Sequence, residues 1–151
     1  MADPKTVQYA DLESLVGQTL GPSDWFEVDQ GRINTFADAT GDHQWIHVNE
    51  EMAKQMLGST IAHGYLTLSL IPMFGPQVLR VEGVTRGINY GANKVRFTNM
   101  VPVNSKLRMT QTVKEVNEKA GGKQMISECT IEIDGQDRPA CVAETITILY
   151  G

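Results

Sequence analysis

The sequence predicts an α+β fold in which a curved antiparallel sheet wraps around one buried helix. Residues 65–74 are almost wholly apolar, as in a helix that is buried on nearly every side. The second half of the chain alternates apolar and polar residues with period two, which is typical of antiparallel strands with one buried face. Since such a helix needs a sheet to cover it, the order of strand, helices and then roughly four strands favours this class.

The first half of the chain is predicted to form a short helix near residues 9–15, one strand and two capped helices. Residues 20–28 indicate the strand. A helix follows Asp29, which can cap its N-terminus, and ends at Gly41, which suits a left-handed C-terminal residue. The next helix is predicted to be capped by Asn49 and to run to about Leu57, with Gly58 ending it and acidic residues in its first turn.

The strands of the second half are predicted over residues 87–100, 106–114, 128–133 and 142–148. A two-residue turn at Gly135-Gln136 would place Cys129 opposite Val142. Glu144 falls on the face of the last strand that the alternation marks as apolar.

Length and composition indicate one globular domain over residues 1–151, with 41% hydrophobic and 21% charged residues. The net charge of -5 and the lack of a Lys and Arg cluster argue against nucleic acid as a partner. We expect no membrane span and a cytoplasmic location, because no apolar run is long enough to cross a bilayer and no secretory signal is visible. Two cysteines do not suggest a disulfide framework.

The residues best suited to chemistry lie in two segments. Asp42 and His47 belong to a polar stretch that we expect to be a loop between two capped helices. Gly64 begins the apolar helix, where a free backbone N–H could hold a carbonyl oxygen as negative charge builds on it. Adding water to a double bond conjugated to a thioester needs a base, an acid and such a donor. The three residues can supply all of them.

Simpler interpretations of the same residues stay open at this point. Asp42 and His47 are compatible with a solvated carboxylate and a structural histidine, and Gly64 with close packing at a helix entry. For His63 we favour a role in bonding the neighbouring backbone and shaping the turn into the helix over direct catalysis. A metal site at Asp42, His43 and His47 is disfavoured, since no cysteine or glutamate completes a tetrahedral set.

Two landmarks together resemble a known family. Residues 36–53 contain the elements of the hydratase-2 motif, namely Thr40-Gly41-Asp42, Ile46-His47 and Ala53. Farther along the chain lie Ile61-Ala62-His63-Gly64, Val95-Arg96-Phe97 and Val101-Pro102-Val103. Over about residues 20–150 the chain is similar to the MaoC-like dehydratases and R-specific enoyl-CoA hydratases.

This resemblance implies a hot-dog fold, a homodimer and an enzyme of fatty acid metabolism. The implied reaction is reversible hydration of a trans-2-enoyl thioester of CoA or acyl carrier protein to the (R)-3-hydroxyacyl thioester, with no cofactor and no metal. Asp42 and His47 take the positions of the catalytic pair, and Gly64 that of the oxyanion donor.

One departure from the family pattern affects the site. Gln44-Trp45 stands where the motif usually has Asn-Pro, and this variant looks most like the nodulation-protein-N-like branch. Trp45 lacks the fixed φ of proline, which leaves the loop shape and the acyl preference open. A hot-dog thioesterase and a non-catalytic acyl-thioester-binding module are the alternative functions.

Overall fold

The computed structural model describes residues 2–151 as one antiparallel sheet with helices against it. The helices are a 3-10 helix over Tyr9–Leu15 and α1 to α5, in order Gln30–Thr40, Trp45–Val48, Glu50–Leu57, Gly64–Ser69 and Ile71–Val78. The strands are β1 Lys5–Gln8, β2 Thr19–Leu20, β3 Phe26–Val28, β4 Leu79–Glu82, β5 Arg86–Arg96, β6 Ser105–Lys119, β7 Gly122–Ile133 and β8 Cys141–Tyr150.

The main sheet has the strand order β2-β6-β7-β8-β5, and β3 also pairs with β6. Every pairing in it is antiparallel, whereas β1 and β4 form a separate parallel pair. Helices α4 and α5 contribute Leu66, Leu70, Phe74 and Val78 to the core cluster that the sheet residues complete. The predicted α+β architecture is therefore confirmed.

The apolar helix differs from its prediction in two ways. It consists of two helices, α4 and α5, which meet at Leu70, and Pro72 lies near the start of α5, where a proline is tolerated. It is also buried on one face only, because Tyr65 is 69% exposed and Pro72 lies at the surface. The sheet covers a single side of these helices.

The first predicted strand is split in two. Its ends form β2 and β3, which pair with different parts of β6. Between them lies the cis peptide Gly21-Pro22, followed by Ser23, whose N–H donates to the Met109 carbonyl at 2.9 Å. A proline has no N–H to donate, so the segment leaves the ladder and rejoins it.

The predicted register of the last hairpin is wrong by one residue. Cys129 lies opposite Ala143, and Cys141 opposite Ile131, because the connection is longer than a two-residue turn. A slip of one residue exchanges the two faces of a strand. Cys141 thus joins the core with Cys129, and Glu144 lies on the outer face, opposite Lys94 of β5.

Candidate active site

Asp42 follows directly on the end of α1. Gly41 adopts a left-handed conformation with φ of 83°, and its N–H bonds to the Ala37 carbonyl, which closes the helix as predicted. The Asp42 side chain is exposed, and its Oδ1 accepts from the Gln44 N–H at 3.3 Å. The carboxylate is thus free to face a ligand but is held by one weak contact.

His47 lies on the one-turn helix α2, within a stretch predicted as a loop. Its side chain is 6% exposed. Nδ1 lies 2.6 Å from the Ile61 carbonyl oxygen, and since a carbonyl only accepts, Nδ1 carries the hydrogen. In the neutral ring Nε2 then has a free lone pair. Gln30 donates to the His47 carbonyl at 2.8 Å, which fixes the backbone as well.

His63 connects the two segments that the sequence singled out. Its ring stacks on His47, with centroids 3.8 Å apart and planes inclined by 23°. Its Nε2 lies 3.0 Å from the Asp42 main-chain carbonyl, and it is the N-cap residue of α4. The predicted role in bonding nearby backbone agrees with these contacts.

His43 does not belong to this cluster. Its Nε2 pairs with the Asp38 carboxylate at 2.9 Å on the exposed surface of α1. The hydrogen bond to Asp38 raises the pKa of His43 above its ordinary value. The Asp42, His43 and His47 set weighed from the sequence is therefore replaced by Asp42, His47 and His63.

A cavity of about 460 Å³ opens beside His47. It is lined by residues from three parts of the chain, namely Ile46, His47, Ile61, Ala62, Gly64, Thr67, Phe97, Thr98, Asn99, Met100, Val101, Arg138 and Ala140. His47 and Gly64 share this cavity, whereas Asp42 is not among its lining residues. The carboxylate lies next to it, since ligand atoms of Asp42, His47 and His63 are within 4.8 Å of one another.

Gly64 is packed closely against Phe97. A Cβ added to Gly64 would lie 2.8 Å from Cδ2 of that ring. The interpretation of a glycine needed for packing is thus supported, and the side on which a Cβ would project is occupied by protein. Any carbonyl that reaches the Gly64 N–H must come from another direction.

The Asp42, His47 and His63 cluster has poor geometry for a metal ion. An ion binds in the plane of an imidazole ring at about 2.0–2.1 Å from nitrogen. Because the two rings are stacked 3.8 Å apart, an ion in the plane of one lies well outside the plane of the other. In addition, Nδ1 of His47 and Nε2 of His63 already bond to carbonyl oxygens. The expected lack of a metal stays a prediction.

The sequence did not reveal Phe97, Asn99, Arg138 or Gln30 as parts of this region. Phe97 and Asn99 reach the cavity from the connection after β5, and Arg138 reaches it from the connection before β8. A hydrogen bond from the Asn99 side chain to the Arg138 carbonyl, at 3.2 Å, links the two connections. Gln30 donates to the His47 carbonyl and accepts a hydrogen bond from the Thr60 hydroxyl. No spacing along the chain links these positions to Asp42 or His47.

Comparison with known proteins identifies the family. The model of the MaoC like domain matches residues 11–133. The chain belongs to this family. It is 48% identical over 139 residues to 3-hydroxyacyl-thioester dehydratase Z of Mycobacterium tuberculosis, covering 91% of this chain and 92% of the relative. Identity to nodulation protein N of Rhizobium leguminosarum is 42% over 145 residues, covering 93% and 89%.

The fold of this MaoC-like protein agrees with solved structures. An unliganded R-hydratase from Pseudomonas aeruginosa superposes with a TM-score of 0.74 at 23% identity, over 94% of this chain and 84% of that one. The hot-dog fold that the sequence resemblance implied is thereby confirmed. None of the helices formed by residues 2–151 has the length and hydropathy needed to span a bilayer.

Proposed function

We propose that this MaoC-like protein reversibly hydrates trans-2-enoyl thioesters to (R)-3-hydroxyacyl thioesters. The observation that carries the proposal is the convergence of the His47 ring and Gly64 on one cavity, with the Asp42 carboxylate beside the ring. The relative that is 48% identical carries the name of a 3-hydroxyacyl-thioester dehydratase, which is the same reaction in reverse.

Asp42 and His47 act as the acid–base pair. A water between them loses a proton as its oxygen bonds to the β-carbon, and the α-carbon gains a proton. The lone pair on His47 Nε2 suits this task, because Nδ1 is held as an N–H by Ile61. General acid–base catalysis contributes on the order of 10² to 10⁴-fold. No cofactor or metal takes part in these steps.

The Gly64 N–H holds the thioester oxygen while enolate charge develops on it. Gly64 is the first residue of α4, where backbone N–H groups have no partner inside the helix. One donor of this kind contributes on the order of 10² to 10³-fold. Acid–base chemistry at the β- and α-carbons and charge stabilisation at the oxygen then operate on one bound enone.

Arg138 suits the carrier end of the substrate. It is exposed at the lining of the cavity and forms no salt bridge with the carboxylates of residues 2–151. In both CoA and acyl carrier protein, the pantetheine arm that ends in the thioester carries a phosphate at its other end. A guanidinium pairs with phosphate through two parallel hydrogen bonds. We assign Arg138 to that contact.

The working form of the protein is a homodimer in the cytoplasm. Strand β5 lies at one end of the sheet order and is almost entirely exposed, with Ile88 and Tyr90 at 45% and 59%. Such an edge is suited to pairing with a second copy. Cys129 and Cys141 are free thiols, in keeping with a reducing compartment.

Turnover of crotonyl-CoA tests the proposal against its two alternatives. Hydration removes the enoyl absorbance while CoA stays attached, and chiral analysis of the product must give the R isomer. Release of free thiol would indicate a thioesterase instead. Binding without turnover, measured by calorimetry on the same preparation, would indicate a binding module.

A further inference from the structure

His63 is fully buried and lies against the residues proposed to carry the chemistry. One face of its ring stacks on His47, and Phe36 lies at a centroid distance of 4.8 Å. Its Nε2 bonds to the Asp42 carbonyl oxygen, and the next residue is Gly64. A single imidazole thus contacts Asp42 and His47 and adjoins Gly64.

The two stacked rings carry opposite tautomers. His47 must hold its hydrogen on Nδ1 and His63 on Nε2, because each of these nitrogens faces a carbonyl oxygen. The free lone pairs are then Nε2 on His47 and Nδ1 on His63. Among residues 2–151 the buried Nδ1 of His63 has no hydrogen-bond partner.

The unpartnered nitrogen indicates that His63 is not optimised for packing. A phenylalanine at this position would keep a ring against His47 and Phe36 and would bury no unsatisfied atom. What the imidazole adds is the N–H that reaches Asp42. His47 has two further anchors, from Ile61 and Gln30. The Asp42 side chain is exposed, and within residues 2–151 it has only the 3.3 Å hydrogen bond from the Gln44 N–H.

We infer that His63 is a positioning residue that holds the Asp42 peptide against the His47 ring, so that carboxylate and imidazole face one water. This inference rests on the proposed function for the identity of the pair. Its geometric part, two stacked rings with opposite tautomers, does not depend on any reaction.

The geometric part is tested by NMR on the protein labelled with ¹⁵N-histidine. The chain has only three histidines, so each imidazole can be assigned by single substitutions. We expect two-bond ¹H–¹⁵N correlations near neutral pH to give the Nδ1–H form for His47 and the Nε2–H form for His63. A tautomer shared by both rings overturns the inference whether or not the protein turns over a thioester.

The positioning role is tested with one variant that removes the N–H of residue 63 and one that retains an N–H. His63→Phe keeps a stacked ring and loses the N–H, and we expect kcat with crotonyl-CoA to fall about tenfold to a hundredfold with KM changed less than about threefold. His63→Gln places an amide N–H near the position of Nε2, and we expect it to recover most of kcat. A purely structural role would lower the melting temperature of both variants and leave kcat below melting unchanged.

Two results contradict the positioning role. One is a kcat for folded His63→Phe within about twofold of the parent, and the other is equal impairment of His63→Gln and His63→Phe. His43→Gln is the matched control, because His43 bonds to Asp38 on the surface, and it should leave kcat and both tautomers unchanged. A parent protein without any turnover would sink the proposed function but leave the NMR result to decide the geometry.

Discussion

Replacing Gly64 by alanine should disturb this protein through Phe97. The added Cβ would lie 2.8 Å from Cδ2 and 3.0 Å from Cγ and Cε2 of that ring. Carbon atoms pack best at about 3.5–4.0 Å, so the ring must retreat by roughly 0.5 to 1 Å. The backbone itself should accept alanine, because Gly64 has no positive φ.

The expected cost follows from how freely the ring can move. Overpacking a site costs about 1–3 kcal/mol, and Phe97 is 44% exposed, so we expect about 1 kcal/mol. That corresponds to a fall of roughly 2–4 °C in melting temperature for a chain of this size. Since the ring also lines the cavity, kcat with crotonyl-CoA should fall by about tenfold or more through misplaced substrate.

A double-mutant cycle with Phe97→Ala checks the cause. In that background the added methyl meets no ring, so Gly64→Ala should cost less than about 0.5 kcal/mol and change kcat less than about threefold. Chemical denaturation and steady-state kinetics supply the two readouts. Equal costs in both backgrounds would refute the role of Phe97 and mean that the methyl acts on the backbone or the substrate directly.

Further outcomes are expected for the catalytic pair, for Arg138 and for the two thiols. Asp42→Asn and His47→Gln should each lower kcat by about 10² or more with the fold retained, and near-normal rates in either would contradict the acid–base pair. Arg138→Ala should raise KM for crotonyl-CoA but not for a truncated thioester without phosphate, and an equal rise for both would exclude the phosphate contact. Burial raises the pKa of Cys129 and Cys141 from 9.0 to about 11, so both thiols should resist alkylation in the native state. The stability that the protonated thiols confer is therefore present below pH 9 and is lost as the pH rises through 11. Chemical denaturation across this range should show that the parent loses its advantage in free energy of unfolding over Cys129→Ala as the pH rises.

Helix ends were predictable because their signals are local. Asp29 accepts from the Arg32 N–H, Asn49 accepts from Met52, and Gly41 and Gly58 adopt the left-handed conformation. Each of these interactions lies within one helical turn, so the sequence contains both partners. The same holds for the resemblance that placed Asp42 and His47, since its motif is contiguous.

Elements whose boundaries depend on distant partners were predicted less well. Residues 20–28 look like one strand until β6 pairs with their two ends separately. The last hairpin was shifted by one residue because its connection is longer than a two-residue turn, and that connection contacts a distant segment, with the Thr98 hydroxyl donating to the Pro139 carbonyl. The prediction of one domain over residues 1–151 stays a prediction.

The sequence by itself determined the fold class, the two caps that bracket Asp42 and His47, and the likeness to a family. Only the tertiary structure decided that His63 stacks on His47, that Phe97 fills the space beside Gly64 and that Arg138 lies at the cavity. The physical reason is the range of the interactions. Caps and periodic patterns act over three or four residues, whereas ring stacking and cavity walls join segments that meet only when the sheet closes over the helices.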